Sequence, residues 1–142
     1  MTTEPLDVLI LNALMTQLTV PALTSPATPV ASPLVTYTPT PGTPYFDARS
    51  PLRAEPDSRA IAYNQSTFFR GVFQVDAVVP DGGGEAVGLR LAALVAARFP
   101  EGTDISTGGI RIQFQKPPTI ATAVKDAPWV RFPVSISYLV IN

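Results

Sequence analysis

Seven of the chain's 16 prolines fall within residues 21–44, "PALTSPATPVASPLVTYTPTPGTP". Proline lacks a backbone donor and has a fixed φ. A run of prolines spaced by Ser, Thr and Ala therefore suits neither a helix interior nor a central strand. The segment is expected to be extended and mostly exposed, as a linker or as an arm laid along the domain or a neighbour. Regular structure must then come from the short stretch before it and the longer one after it.

Before the arm, Leu6, Leu9, Ile10, Ala13, Leu14 and Leu18 recur at nearly helical spacing. Pro5 suits the first turn and Pro21 lies just beyond the end, so residues 5–19 are predicted to be an amphipathic helix. Val8 and Leu11 widen its stripe. After the arm, "PYFDARS" (44–50) predicts a short strand and residues 51–67 a long excursion between strands. "FFRGVFQVDAVV" (68–79) carries the strongest strand signal. Phe69, Gly71, Phe73, Val75 and Ala77 fall on one face, and Arg70, Gln74, Asp76 and Val78 on the other. Residues 85–99 predict a second helix with Val87, Leu91, Leu94, Val95 and Phe99 as its buried stripe and four alanines permitting close approach. Glu85 at its start and Arg98 at its end suit the helix dipole. "GIRIQFQK" (109–116) and "WVRFPVSISYLVI" (129–141) alternate as strands, with Pro133 marking an edge or a bulge. This order predicts α+β: a mainly antiparallel sheet packed by two helices, with a proline-rich extended segment at 21–43, in one domain over residues 1–142.

A chain of 142 residues can bury a real core. Its net charge of −1 and pI of about 5.2 argue against broad binding to nucleic acid or anionic membranes. With neither Cys nor His, disulfides, thiolate and imidazole metal sites, Cys nucleophiles and the Ser–His–Asp triad are excluded. An enzyme built here would depend on Asp, Glu, Lys, Tyr or Arg. "MTTEPLDVLILNALM" is acidic before its apolar run and too interrupted to span a bilayer, so a soluble, untargeted protein is expected.

The stretch "VVPDGGGEAVGLRL" (78–91) has the strand, glycine loop and helix start of a phosphate-binding loop. It lacks the Lys of a P-loop, and Gly82, Gly84 and Gly88 are spaced one residue too long for a dinucleotide fingerprint. Asp81 and Glu85 flank it with charge that repels phosphate. These features favour a plain strand-to-helix connection, with a small-molecule or nucleotide-binding module using residues 81–88 as the rival. The acids Asp76, Asp81, Glu85, Glu101 and Asp104 have no motif that makes them a catalytic pair. Neither an enzyme nor a cofactor is expected. The basic residues are nearly all arginine, which is enriched at protein interfaces where lysine is depleted. Arg49, Arg53, Arg59 and Arg70 lie in or beside the 49–70 excursion, with Arg111 and Arg131 on later strands; together these six are candidates for an assembly interface.

In order, "PYFDARS", "FFRGVFQVDAVVPDGGGEA", "ARFPEGT", "GIRIQFQKPPTI" and "WVRFPVSISYL" resemble the tail-terminator-like proteins of long-tailed bacteriophages. The resemblance covers residues 44–140 well and 1–15 weakly, and the proline-rich arm is longer than the family leads one to expect. It implies a small α+β protein that assembles as a hexameric ring on the head-proximal end of the tail tube. The ring would stop tube polymerisation and offer a docking surface to the head connector. Its partners would be further copies of itself, the tail-tube protein, and connector or neck proteins. No membrane and no sequence-specific nucleic acid would be involved, and DNA would pass through the ring lumen. The implied location is the virion tail or neck, after assembly in the bacterial cytoplasm. Another neck, head-completion or tail-tube protein is the alternative within the same class.

Overall fold

The computed structural model describes residues 5–20, 23, 28–49, 51–53 and 68–141, with only the backbone of residues 6, 52, 53, 68 and 69. The chain opens with α1 (Leu6–Thr19), followed by β1 (Val30–Ala31), β2 (Tyr45–Ala48), β3 (Leu52–Arg53) and β4 (Phe68–Pro80). Next come α2 (Glu85–Ala97), β5 (Asp104–Thr107), β6 (Ile110–Gln113), β7 (Thr119–Ile120), β8 (Val124–Asp126) and β9 (Trp129–Ile141). The fold is α+β, as predicted, and one sheet takes in every described strand, in the order β1-β2-β4-β9-β6-β5. β3 adds to β4, and β7 and β8 add to β9. Only β1 pairs parallel, through Val30 opposite Phe46 and Ala31 opposite Asp47.

The long β4–β9 ladder is the spine, running from Phe68 opposite Ile141 to Pro80 opposite Trp129. Strand alternation sends Phe73, Val75 and Ala77 of β4 and Phe132, Val134 and Ile136 of β9 to one face. There they join Phe46 and both helices in a single core. Phe99 meets Phe73 and Phe114 edge-on, at centroid distances of 6.0 and 5.3 Å, a favoured arrangement of aromatic rings. α1 contributes Ile10, Leu14 and Leu18, one turn apart, as its spacing predicted. Its Gln17 Nε2 donates to the Arg98 carbonyl at 2.6 Å, joining α1 to the end of α2.

Two expectations are corrected. Of the predicted stripe of α2, Val95 and, just past the helix end, Phe99 are buried and Leu91 packs against the core, but Val87 and Leu94 remain 40% and 38% exposed, and Gly88 and Ala92 are buried in their place. The cause is close approach. A Cβ on Gly88 would stand 1.9 Å from Phe132 Cε1, so the smallest residues of the helix take the face against the sheet. Pro133 was expected at an edge or bulge, but β9 is the central strand. Pro133 accepts from the Ala121 N–H at 2.8 Å, so its donorless nitrogen points the same way, between β7, which ends opposite Val134, and β8, which begins opposite Arg131. A proline fits there because no ladder bond is required of it.

The proline-rich arm is partly ordered against the sheet. Tyr37 packs on Tyr45 at 5.0 Å, and Tyr45 meets Trp129 edge-on at 5.6 Å. With Ala31 and Val78 these form a second apolar cluster on the face opposite the helices. Residues 21, 22 and 24–27 of the arm lie outside the described residues, as does most of the 51–67 excursion. No helix among the described residues is long and apolar enough to cross a membrane.

Candidate functional site

The face of β2, β4 and β9 away from the helices carries Tyr45 and Asp47, Asp76 and Val78, and Trp129 and Arg131. Asp47 and Asp76 are direct cross-strand partners. Two carboxylates placed so would repel each other. Arg131 resolves this: its Nη1 donates to Asp47 Oδ2 at 2.7 Å and to Asp76 Oδ2 at 3.3 Å, and its Nε donates to Asp126 Oδ2 at 3.1 Å. Burial alone would lower the pKa of this guanidinium, but the hydrogen bonds to Asp47 and Asp126 outweigh it and raise the pKa. Asp76 is wholly buried (0% exposed) and yet well partnered, also accepting from Arg49 Nη2 at 2.8 Å and Gln74 Nε2 at 3.0 Å. Among the described residues no group of His, Cys, Asp or Glu is arranged to hold a metal; Asp47, Asp76 and Asp126 all point at Arg131. Burial pushes the Tyr45 hydroxyl above its ordinary range; Asp47, Tyr37 and Asp126 add to the effect and Arg131 opposes it.

The six candidate arginines therefore occupy different surroundings. Arg49 and Arg131 meet at Asp76, with side chains 53% and 21% exposed. Arg70 is exposed on β4 opposite Leu139. Arg111, on β6, faces Asp104 at 3.6 Å, both half-exposed. Arg53 lies on β3 opposite Gly71, its side chain outside the description, and Arg59 lies outside the described residues altogether. Sequence reasoning did not find the partners of Arg131. Alternation places Asp47, Asp76 and Arg131 on the non-core faces of their strands, but the register that brings them together depends on pairing far along the chain.

The glycine loop connects β4 to α2. Gly84, the residue before the helix, has φ 89°, a backbone conformation L side chains rarely adopt. The Asp81 N–H donates to the Pro128 carbonyl at 2.9 Å, tying the loop to the turn before β9. Beside it lies a hollow of about 430 Å³ walled by Val79, Ala123, Val130 and Phe132, with Asp81, Glu85 and Lys125 among its other lining residues. Its walls are apolar, and the two carboxylates suit a phosphate poorly.

A family model described as phage tail terminator protein matches residues 9–138. No curated protein matches the chain. One solved chain, known by a serial designation, is 30% identical with a TM-score of 0.74, the match covering 92% of this chain and 92% of that one. Another, from the virion of a native gene transfer agent particle, shares the fold at 18% identity with a TM-score of 0.63, covering 98% of this chain and 100% of that one. The family match runs from α1 almost to the end of β9, and the chain belongs to the phage tail terminator family, with a structural role in the phage tail or neck.

Proposed function

We propose that the protein is the tail terminator itself: a homo-hexameric ring that caps the head-proximal end of the tail tube. The ring stops tube polymerisation and presents a docking surface for the head connector. The observation that carries this reading is the family match over residues 9–138, which takes in nearly all of the sheet and both helices. A shared fold with a protein of a gene transfer agent virion supports it. So does a surface with several exposed apolar side chains, Val87, Leu89 and Leu94 on α2 among them, which suits a part that meets neighbours on more than one side. Arg49, Arg53, Arg59, Arg70, Arg111 and Arg131 are the proposed polar part of those contacts, and Arg70 is exposed on β4. The partners are further copies, the tube protein and connector or neck proteins, in the virion, with assembly in the host cytoplasm and DNA passing through the lumen. The role is non-enzymatic and needs no cofactor.

Light scattering across a concentration series, with and without purified tail tubes, tests this. A ring-sized particle, or a monomer that becomes one at tube ends, is expected; a strict monomer that never binds tube ends overturns it. Open-ended fibres would identify a tube subunit instead, because a heterologous interface that does not close continues indefinitely. The hollow beside residues 81–88 keeps a small-molecule reading testable. ATP or NAD at about 100 times a real Kd would stabilise the fold by about 2.7 kcal/mol, and no shift in melting temperature is expected.

A further inference from the structure

Leu34 is the most exposed large apolar residue described, at 99%, and beside it Val35 is 63% exposed. It is also the only described non-glycine residue with a positive φ, 57°. The two facts have one origin: the Val35 N–H donates to the Ser32 carbonyl at 3.2 Å, closing a turn with Pro33 at its second position and Leu34 at its third. A turn of this kind needs positive φ at the third position and ordinarily takes Gly or Asn there. Leucine is disfavoured in that conformation and gains no burial from its own chain in return. Nothing in the isolated fold accounts for an apolar side chain held out on a strained turn.

The same fold also has an apolar hollow. The hollow described at the end of β4 is walled by Val79, Ala123, Val130 and Phe132, and neither Leu34 nor Val35 is among its lining residues. We propose that the Leu34–Val35 turn of one copy seats in this hollow of the next copy, so that successive copies are joined knob into hollow. The residues flanking the knob, Ser32 and Thr36, are uncharged, so the knob brings no charge to the hollow, whose own Asp81, Glu85 and Lys125 are exposed. The knob sits in the arm just after the edge strand β1, whereas the hollow lies at the β4–α2 junction. Because each copy gives its knob to one neighbour and receives a knob from another, the proposed contact is heterologous, the type that generates a closed ring when the rotation between copies allows it. This inference rests on the ring reading and says which surfaces meet.

Leu34→Gly and Leu34→Asn remove the knob while suiting the turn. At a concentration too low for wild type to assemble, each is expected to melt at or above the wild-type temperature, and each should need at least about tenfold higher concentration to assemble. Because the chain has no cysteine, a Leu34→Cys protein mixed with a Lys125→Cys protein and oxidised should give a mixed disulfide dimer in preference to either self-pair. Variants that assemble at the wild-type concentration, or rings that form without the mixed cross-link, overturn the docking and leave the ring reading standing. The latter result would mean that another occupant fills the hollow. A lowered melting temperature in both variants at that non-assembling concentration would place the role of Leu34 within its own chain and also overturn the docking. A wild-type protein that never associates, alone or at tube ends, overturns the ring reading and the docking with it.

Discussion

Asp47 and Asp76 stand directly opposite each other across β2 and β4, and one guanidinium nitrogen of Arg131 reaches both, at 2.7 and 3.3 Å. Arg131→Ala leaves two facing carboxylates, one of them fully buried, without their shared cation. Removing one partner of a buried pair costs about 3–5 kcal/mol. The partial exposure of Asp47 puts the expected loss near ~3 kcal/mol, measured by urea unfolding. Arg131→Lys should recover only part of it, since a single ammonium cannot reproduce a fork that spans three carboxylates. An unfolding midpoint within error of wild type for Arg131→Ala would refute this account of the sheet's outer face.

The outlying arginines should behave differently. Arg49 is half-exposed, and Asp76 keeps Arg131 and Gln74 when it is gone. Arg111 faces Asp104 at 3.6 Å, both half in solvent. Arg49→Ala and Arg111→Ala are each expected to cost no more than about 1 kcal/mol. Arg111→Ala should lose even that small effect in high salt. A cost as large as that of Arg131→Ala would show that exposure is a poor guide on this face.

Gly88→Ala sets helix propensity against packing. Alanine favours a helix interior over glycine by up to about 1 kcal/mol, but its Cβ would meet the buried Phe132 ring at 1.9 Å. Overpacking of that kind costs about 1–3 kcal/mol, occasionally more, so a net loss in melting temperature is expected. Gly83→Ala is the control, because its Cβ would meet only the Pro80 carbonyl oxygen at 3.6 Å. Equal melting temperatures for the two variants would contradict the close approach of α2 to the sheet.

Alkaline unfolding should report Tyr45. Its hydroxyl is raised above 10.0, chiefly by burial. As the pH climbs past the unfolded value, the unfolded chain gives up this proton while the folded chain still holds it, so stability falls with rising pH. The contribution is fully present below pH ~10 and is lost as the pH passes through the folded value. Tyr45→Phe should flatten that part of the stability profile, and an unchanged slope would assign it to other groups.

The long strands β4 and β9 were legible because apolar and polar residues alternate along most of each, a pattern that needs no knowledge of a partner. α1 was legible for the same kind of reason, its Ile10, Leu14 and Leu18 repeating at one-turn spacing. The buried face of α2 was legible only in part: Val95, Leu91 and, past its end, Phe99 pack inward as the spacing predicts, but Val87 and Leu94 do not. Side-chain size is a good guide when a helix stands off a sheet, but this one lies so close that Gly88 and Ala92 are the residues that fit, and the larger Val87 and Leu94 turn outward. The short strands β5, β7 and β8 carry little pattern of their own; pairing with β6 and β9 creates them. The ion-pair cluster failed for a related reason. Arg131 looked like a surface residue until the register placed Asp47, Asp76 and Asp126 around it.

The two-residue β1 lies outside β2, at one end of the sheet. It follows Pro29, whose carbonyl accepts from the Phe46 N–H at 2.9 Å, and it is soon followed by Pro33. Prolines offer no N–H, and a strand this short presents almost no row of donors and acceptors to a newcomer. The sheet consequently ends in an edge that cannot template another strand, which guards this flank against the edge-to-edge growth that turns exposed sheets into fibrils.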